Sequence, residues 1–285
     1  MDAHDLEPHV LGAHEIGRRE ALGLSVLGAL GVSLGSGLLV GDSGPVPRYR
    51  AVRTRAKGPP PAHLPAQKAT PTPAHPVGAT GPVAAWRKPA RSVHDVRPDA
   101  PKNAVALTID DGPHPEWTPR VLELLAKHEV KATFCLIGEQ VRDNYKLVQL
   151  MVEAGHEVAN HTWRHPININ RLPAGRVENE IVKTRQVIVE VTGTTPRLFR
   201  APGGNWSPTV FKAVARHGMF PIDWDIDPRD WSRPGVPHVT RELLRGKAGD
   251  ILLCHDGGGD RSQTLKSLKT VLPKLKSRGL VFVTL

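Results

Sequence analysis

The sequence predicts an α/β protein: a distorted (β/α) barrel of about seven parallel strands. Three observations predict it. Short apolar runs alternate with helical patterns from about residue 101 to the end of the chain. No glycine-rich phosphate loop follows the first run, which favours a barrel over an open nucleotide-binding sheet. Polar residues flanked by glycine or proline collect where the apolar runs stop, and α/β folds gather their chemistry at strand ends.

The candidate strands are "AVALTI" from Ala104, "ATFCLI" from Ala132, "HEVA" from His156, "RLFR" from Arg197, "MFPIDW" from Met219, "ILLC" from Ile251 and "LVFVTL" from Leu280. Between the first and second, "TPRVLELLAKH" sets Val121, Leu122, Leu124 and Leu125 at helical spacing. Between the second and third, "NYKLVQLMVEAG" does the same with Leu147, Leu150, Met151 and Ala154. The long segment from Ala174 places Val177, Ile181, Thr184, Ile188 and Val191 on one face, and Gly193 is a stop signal.

Upstream the composition is different. Residues 1–42 contain Arg18-Arg19 followed by an uncharged Gly/Ser-rich apolar run, the pattern of an export signal of twin-arginine type. That run is about as long as the roughly 20 residues a bilayer needs, so an uncleaved membrane tether through residues 21–41 is the other expectation. Residues 43–100 are rich in Pro, Ala and Arg and have too little apolar surface to offset ordering; a disordered spacer is expected there. The folded domain is expected over 101–285.

The net charge of +10 suits an anionic partner such as a cell-wall polymer or membrane surface. No motif interleaving aromatic and basic residues accompanies it, so no nucleic-acid partner is expected. Two cysteines, Cys135 and Cys254, exclude a disulfide framework or a cysteine-rich zinc site.

The first strand ends in "DDGP". Asp110 and Asp111 repel one another unless a cation lies between them or one holds a proton. A metal ion answers this, and "HTWRH" offers His161 and His165 four residues apart. This is not the zincin pattern, because no glutamate lies between the histidines, so a base must come from elsewhere. Three further strand ends carry chemistry: Arg200 before "APGG", Asp227, Asp230 and Trp231 in "DPRDW", and His255 after "ILLC".

Taken in order, "TIDDGP", "HTWRH", "RAPGGN", "DPRDW" and "LCH" resemble the five motifs of the NodB-homology polysaccharide deacetylases, carbohydrate esterase family 4. Ile109 stands where that family usually has an aromatic residue, and the resemblance spans roughly Asn103 to Leu285. It implies Asp111, His161 and His165 as metal ligands and Asp110 as general base, with Arg200 paired to that base. It implies His255 as general acid, held by Asp230, and Trp231, Leu253 and Pro202 as the substrate-binding set. The implied cofactor is a divalent ion, zinc foremost, with cobalt, nickel or iron as alternatives.

The implied reaction is removal of N-acetyl groups from a GlcNAc-containing polysaccharide, peptidoglycan or chitin-like, by an extracytoplasmic monomer that is secreted or anchored facing the wall. O-deacetylation of acetylated xylan is the enzyme alternative, and a silent carbohydrate-binding protein is the non-enzyme one.

Overall fold

The computed structural model describes residues 87–285. The expected export or anchor segment, and the spacer up to residue 86, lie outside the described residues. Seven strands form one sheet: β1 (Ala104–Asp110), β2 (Thr133–Leu136), β3 (Glu157–Asn160), β4 (Leu198–Phe199), β5 (Phe220–Pro221), β6 (Ile251–His255) and β7 (Val281–Val283). Every strand pairing is parallel, in the order β5-β4-β3-β2-β1-β6, with β7 also on β1. Ala106 pairs with both Ile251 and Val283, so β6 and β7 occupy opposite edges of β1. β7 therefore holds the first half of the β1 edge whose second half β2 holds at Thr108 to Asp110.

All seven residues of β1 are buried, as expected of a parallel strand covered on both faces. The two faces have different jobs. Val105, Leu107 and Ile109 join Phe134, Leu136, Val158, Leu252 and Cys254 in the larger core, beneath the helices. Ala104, Ala106, Cys135, Ala159, Leu198, Phe220 and Ile251 line the concave interior. Small residues there leave room for long polar side chains above them. With strand side chains alternating between faces, Thr108, Asp110, Arg200, Leu253 and His255 continue the interior rows to the mouth.

The crossover segments carry α2 (Trp117–Lys127), α3 (Gly138–Asp143), α4 (Tyr145–Glu153), α5 (Ala174–Thr192), α6 (Pro208–Arg216), α7 (Val236–Leu243) and α8 (Ser262–Ser277). The expected stripe of α5 is buried at Val177, Ile181, Thr184, Ile188 and Val191, and Gly193 ends the helix at φ 69°. Ser207 caps α6 by accepting from Val210 N, with Pro208 at its first position.

Pairing with the sheet begins before residue 101. Ala90 pairs with Ile222 just beyond β5, and Ser92 pairs with Asp250 just before β6. A single-turn α1 (Val93–Val96) follows, capped by Ser92, with Val93 and Val96 buried. This strap joins the β5 side to the β6 side, where the segment after β5 also bridges β6 through Ile226 and Leu252. Composition hides it, because a few valines in a proline-rich region are enough to anchor a strap on a preformed surface.

Candidate active site

Adjacent residues in a strand point to opposite faces, so Asp110 and Asp111 could not both serve one site if β1 simply continued. The backbone resolves this: Asp111 turns into the left-handed region at φ 73°. Both carboxylates then reach one imidazole, His161 Nε2 lying 3.7 Å from Asp110 Oδ2 and 3.6 Å from Asp111 Oδ1. The turn is closely packed, since a Cβ on Gly257 would stand 1.9 Å from the carbonyl oxygen of Asp111.

His161 follows β3, and its Nδ1 lies 2.8 Å from the carbonyl of Arg200, which fixes Nδ1–H as donor and leaves the Nε2 lone pair facing the carboxylates. The "HTWRH" segment forms no helix. Thr162 and His165 adopt φ of 71° and 55°, braced by Thr162 N donating to Asn160 Oδ1 and His165 N to Thr162 Oγ1. That path brings His165 Nε2 to 3.3 Å from Asp111 Oδ1.

Asp111, His161 and His165 each offer a ligand atom, all within 4.8 Å of one another. Asp111 Oδ1 is buried and accepts no hydrogen bond, an orphaned acceptor that a cation would satisfy. One carboxylate and two imidazoles are a donor set of catalytic zinc type. Burial pushes His161 below the usual imidazole range despite the nearby carboxylates, which keeps it neutral and able to ligate. The residues fit a divalent ion.

Arg200 follows β4 and is completely buried. Its Nη1 donates to Asp110 Oδ1 at 2.7 Å and Thr108 Oγ1 at 2.8 Å; Nη2 donates to the carbonyl of Asp223 at 2.8 Å. Burial alone would raise the Asp110 pKa, but the charge of Arg200 above all, with that of His255, holds it below the ordinary carboxylate value. The strap reaches this network, because Asp223 N donates to the carbonyl of Ala90 at 2.7 Å.

His255 ends β6 directly beside Asp110 in the sheet register. Asp230 grips it twice, Oδ1 at 2.6 Å from Nδ1 and Oδ2 accepting from the His255 backbone N at 2.9 Å. Thr264 Oγ1 donates to the same Oδ2 at 2.6 Å. Burial works against the imidazolium, yet the hydrogen bond and charge of Asp230 outweigh it and push His255 up to about 9.

Leu253 is buried two residues before His255 on the same face, and Pro202 is buried in the 3-10 turn Pro202–Gly204. Trp231 stands apart from them: it is 47% exposed on the rim. Cys135 and Cys254 are free and buried on opposite faces of the sheet, and burial pushes both thiols up. Motif reading gave no role to Thr108, Thr264, Asp223 or Asp256. Thr108 was detectable as the residue two before Asp110 on one strand face. Asp256 is buried, accepts from Thr118 Oγ1 at 2.5 Å, and is raised to about 7, chiefly by burial.

A curled parallel half-barrel with a carboxylate–imidazole cluster at its mouth defines the class as a hydrolase. Residues 97–222 match the family model for polysaccharide deacetylase. A peptidoglycan-N-acetylglucosamine deacetylase from Bacillus cereus is 42% identical over 63% of this chain and 85% of its own length. A chitooligosaccharide deacetylase from Rhizobium leguminosarum is 40% identical over 68% of this chain and 90% of its own. The chain belongs to the polysaccharide deacetylase family, the NodB-homology group of carbohydrate esterase family 4.

Among solved structures, a peptidoglycan N-acetylglucosamine deacetylase superposes with TM-score 0.63 at 33% identity, over 65% of this chain and 86% of that one. A family pseudoenzyme from Bacillus anthracis superposes with TM-score 0.60 at 34% identity, over 65% of this chain and 64% of that one.

Proposed function

We propose that this chain hydrolyses N-acetyl groups of a GlcNAc-containing polysaccharide, peptidoglycan or chitin-like, outside the cytoplasm. One observation carries the reading. Asp110 and His255 are neighbours across adjacent strands, yet their surroundings drive them apart, one held as a carboxylate and the other as an imidazolium up to about 9. A base and an acid side by side at neutral pH are what amide hydrolysis requires.

In this reading Asp111, His161 and His165 hold a divalent ion, zinc foremost, which when bound supplies Lewis-acid polarisation of the acetyl carbonyl and an acidified water. Asp110 accepts the proton of the attacking water, and Arg200 holds its Oδ1 still and charged. His255 delivers its proton to the departing sugar nitrogen as the C–N bond breaks, giving acetate and a free amine. Asp230 keeps that imidazole oriented and charged until then. Leu253 and Pro202 flank the acetyl methyl, and Trp231 meets the sugars at the rim. O-deacetylation of an acetylated xylan by the same residues is the second reading. Among the described residues no helix is long and apolar enough to cross a membrane.

The test is acetate release by the full chain, stripped of metal and resupplied with zinc or cobalt, on chitooligosaccharide, peptidoglycan and acetylxylan. Metal-dependent acetate from either of the first two is expected. Release from xylan alone would overturn N-deacetylation, and no release from any would leave a binding protein.

A further inference from the structure

An all-parallel sheet gives the domain two unlike ends. The strands run towards the mouth, so the opposite end, the base, collects strand starts and helix C-termini. Hydrogen bonds join these pieces into one surface. Lys276 Nζ, in the last turn of α8, donates to the carbonyl of His128 just past α2 at 2.7 Å. Arg278 donates through Nη1 to the carbonyl of Leu244 at 2.6 Å and through Nη2 to that of Gly246 at 2.9 Å, both just past α7. Asn103 Nδ2 donates to the carbonyl of Gly279 at 2.6 Å, and Val281 N to the carbonyl of Asn103 at 3.1 Å, which adds the starts of β1 and β7.

Charge on the base is one-sided. Lys102, Lys127, Lys131, Lys247, Lys276 and Arg278 are all exposed there. Among the described residues, Lys276 is the one member of this set in an ion pair, with Glu129 at 3.8 Å, and no acid follows Asp260 in the chain. Of the exposed acids at this end, Asp95 accepts from Ser92 N, and Asp99 and Glu129 face Arg97 and Lys276. That leaves Glu153 and Glu190 against the unpaired cations. The macrodipole favours cations at helix C-termini, which accounts for Lys127, Lys276, Arg278 and for Lys131, whose Nζ donates to the carbonyl of Ala154 past α4. It does not account for Lys102 and Lys247, which lead into strands. Nor does it account for Val281, 43% exposed three residues past Arg278 and bonded to Asn103 beside Lys102. The other large exposed apolar side chains among the described residues, Ile167 and Trp231, follow strand ends on the mouth side.

We propose that the base of the domain docks on an anionic lipid surface. The lysines and Arg278 take the phosphate headgroups, Val281 seats among them, and the mouth is turned away from the bilayer. Charge alone would suit any polyanion. An apolar side chain left in water among the cations selects the bilayer boundary, where both charge and apolar area are satisfied. The docking is independent of the reaction proposed above and fixes which way the site faces.

Both native cysteines are buried, so an introduced surface thiol takes a polarity-sensitive dye selectively. The dye is placed in the full chain at Val281→Cys or, for the mouth side, at Ile167→Cys. Each is mixed with vesicles of phosphatidylcholine alone or with about one-third phosphatidylglycerol. A blue shift is expected for Val281→Cys on the anionic vesicles only, and none for Ile167→Cys. The shift should vanish in 1 M salt, where screening shortens to about 3 Å. Adding Lys102→Gln, Lys127→Gln and Lys247→Gln should weaken docking about 100-fold, at about fivefold per lysine. These three side chains make no hydrogen bond or ion pair among the described residues, so the variant folds. Sedimentation with vesicles but no shift at Val281→Cys overturns the proposal, because another part of the chain then does the binding. Equal shifts at both positions, or a shift that survives the three substitutions, overturn it too. Binding of soluble polyphosphate with no shift on vesicles would replace the lipid partner with a polymer.

Discussion

Removing the charge of Asp230 while keeping its shape tests the acid. Holding His255 at about 9 rather than at the ordinary 6.5 corresponds to roughly 3 kcal/mol of preference for the imidazolium. Burial pulls the other way; against it Asp230 is the largest contributor, through its hydrogen bond and its charge, with Asp111 and Asp110 adding to it. In Asp230→Asn the burial remains and the charge is gone, so His255 should fall below the ordinary imidazole value. At pH 7 the protonated fraction would drop from nearly all to roughly a quarter or less. The alkaline limb of kcat/KM should move from about pH 9 to below about 6.5, and turnover at neutral pH should fall at least about fourfold, in step with the protonated fraction. The assay is the pH profile of kcat/KM between 5 and 10, with a proton NMR titration of His255 alongside it. A limb that stays near 9 in the variant would refute the argument, because the titrating acid would then not be the group that Asp230 holds.

The same contact predicts how stability varies with pH. The folded-state pKa of His255 lies above its unfolded value, so its stabilisation is complete below about 6.5 and is lost as pH rises through about 9. Wild type and Asp230→Asn should therefore differ most in denaturant midpoint at pH 6 and converge towards pH 10. A gap that widened with pH would contradict the assignment.

Three further outcomes are expected. Asp110→Asn should cost about 100- to 10,000-fold in turnover and, by leaving the buried Arg200 short of its carboxylate, about 3 kcal/mol of stability by denaturation; full activity in this variant would exclude Asp110 as base. His165→Ala should lose zinc affinity by at least about 100-fold in a competition titration while the fold persists, and unchanged affinity would remove it from the ligand set. A chain beginning at Asn103 lacks the buried Val93 and Val96, each worth about 1.5–3 kcal/mol; it should melt well below a chain beginning at residue 87, and equal melting would show the strap to be dispensable.

That last comparison bears on what was legible in the sequence. The strands and the stripe of α5 could be read directly because burial on one or both faces leaves a periodic apolar record, and the five motifs could be read because strand ends put chemistry at short, ordered spacings. The strap at 90–100 left no such record: its contribution is a pair of isolated bridges and two valines. The supports of the site were equally hidden. Thr264, which donates to Asp230, and Asp223, whose carbonyl accepts from Arg200, belong to no motif and meet their partners only through folding.

The two silent features are connected. Ala90 accepts from Asp223 N, Asp223 accepts from Arg200, and Arg200 holds Asp110, so the first described segment reaches the candidate base through three consecutive hydrogen bonds. Composition alone reads that segment as spacer; its hydrogen bonds tie it to Arg200 and, through Arg200, to Asp110.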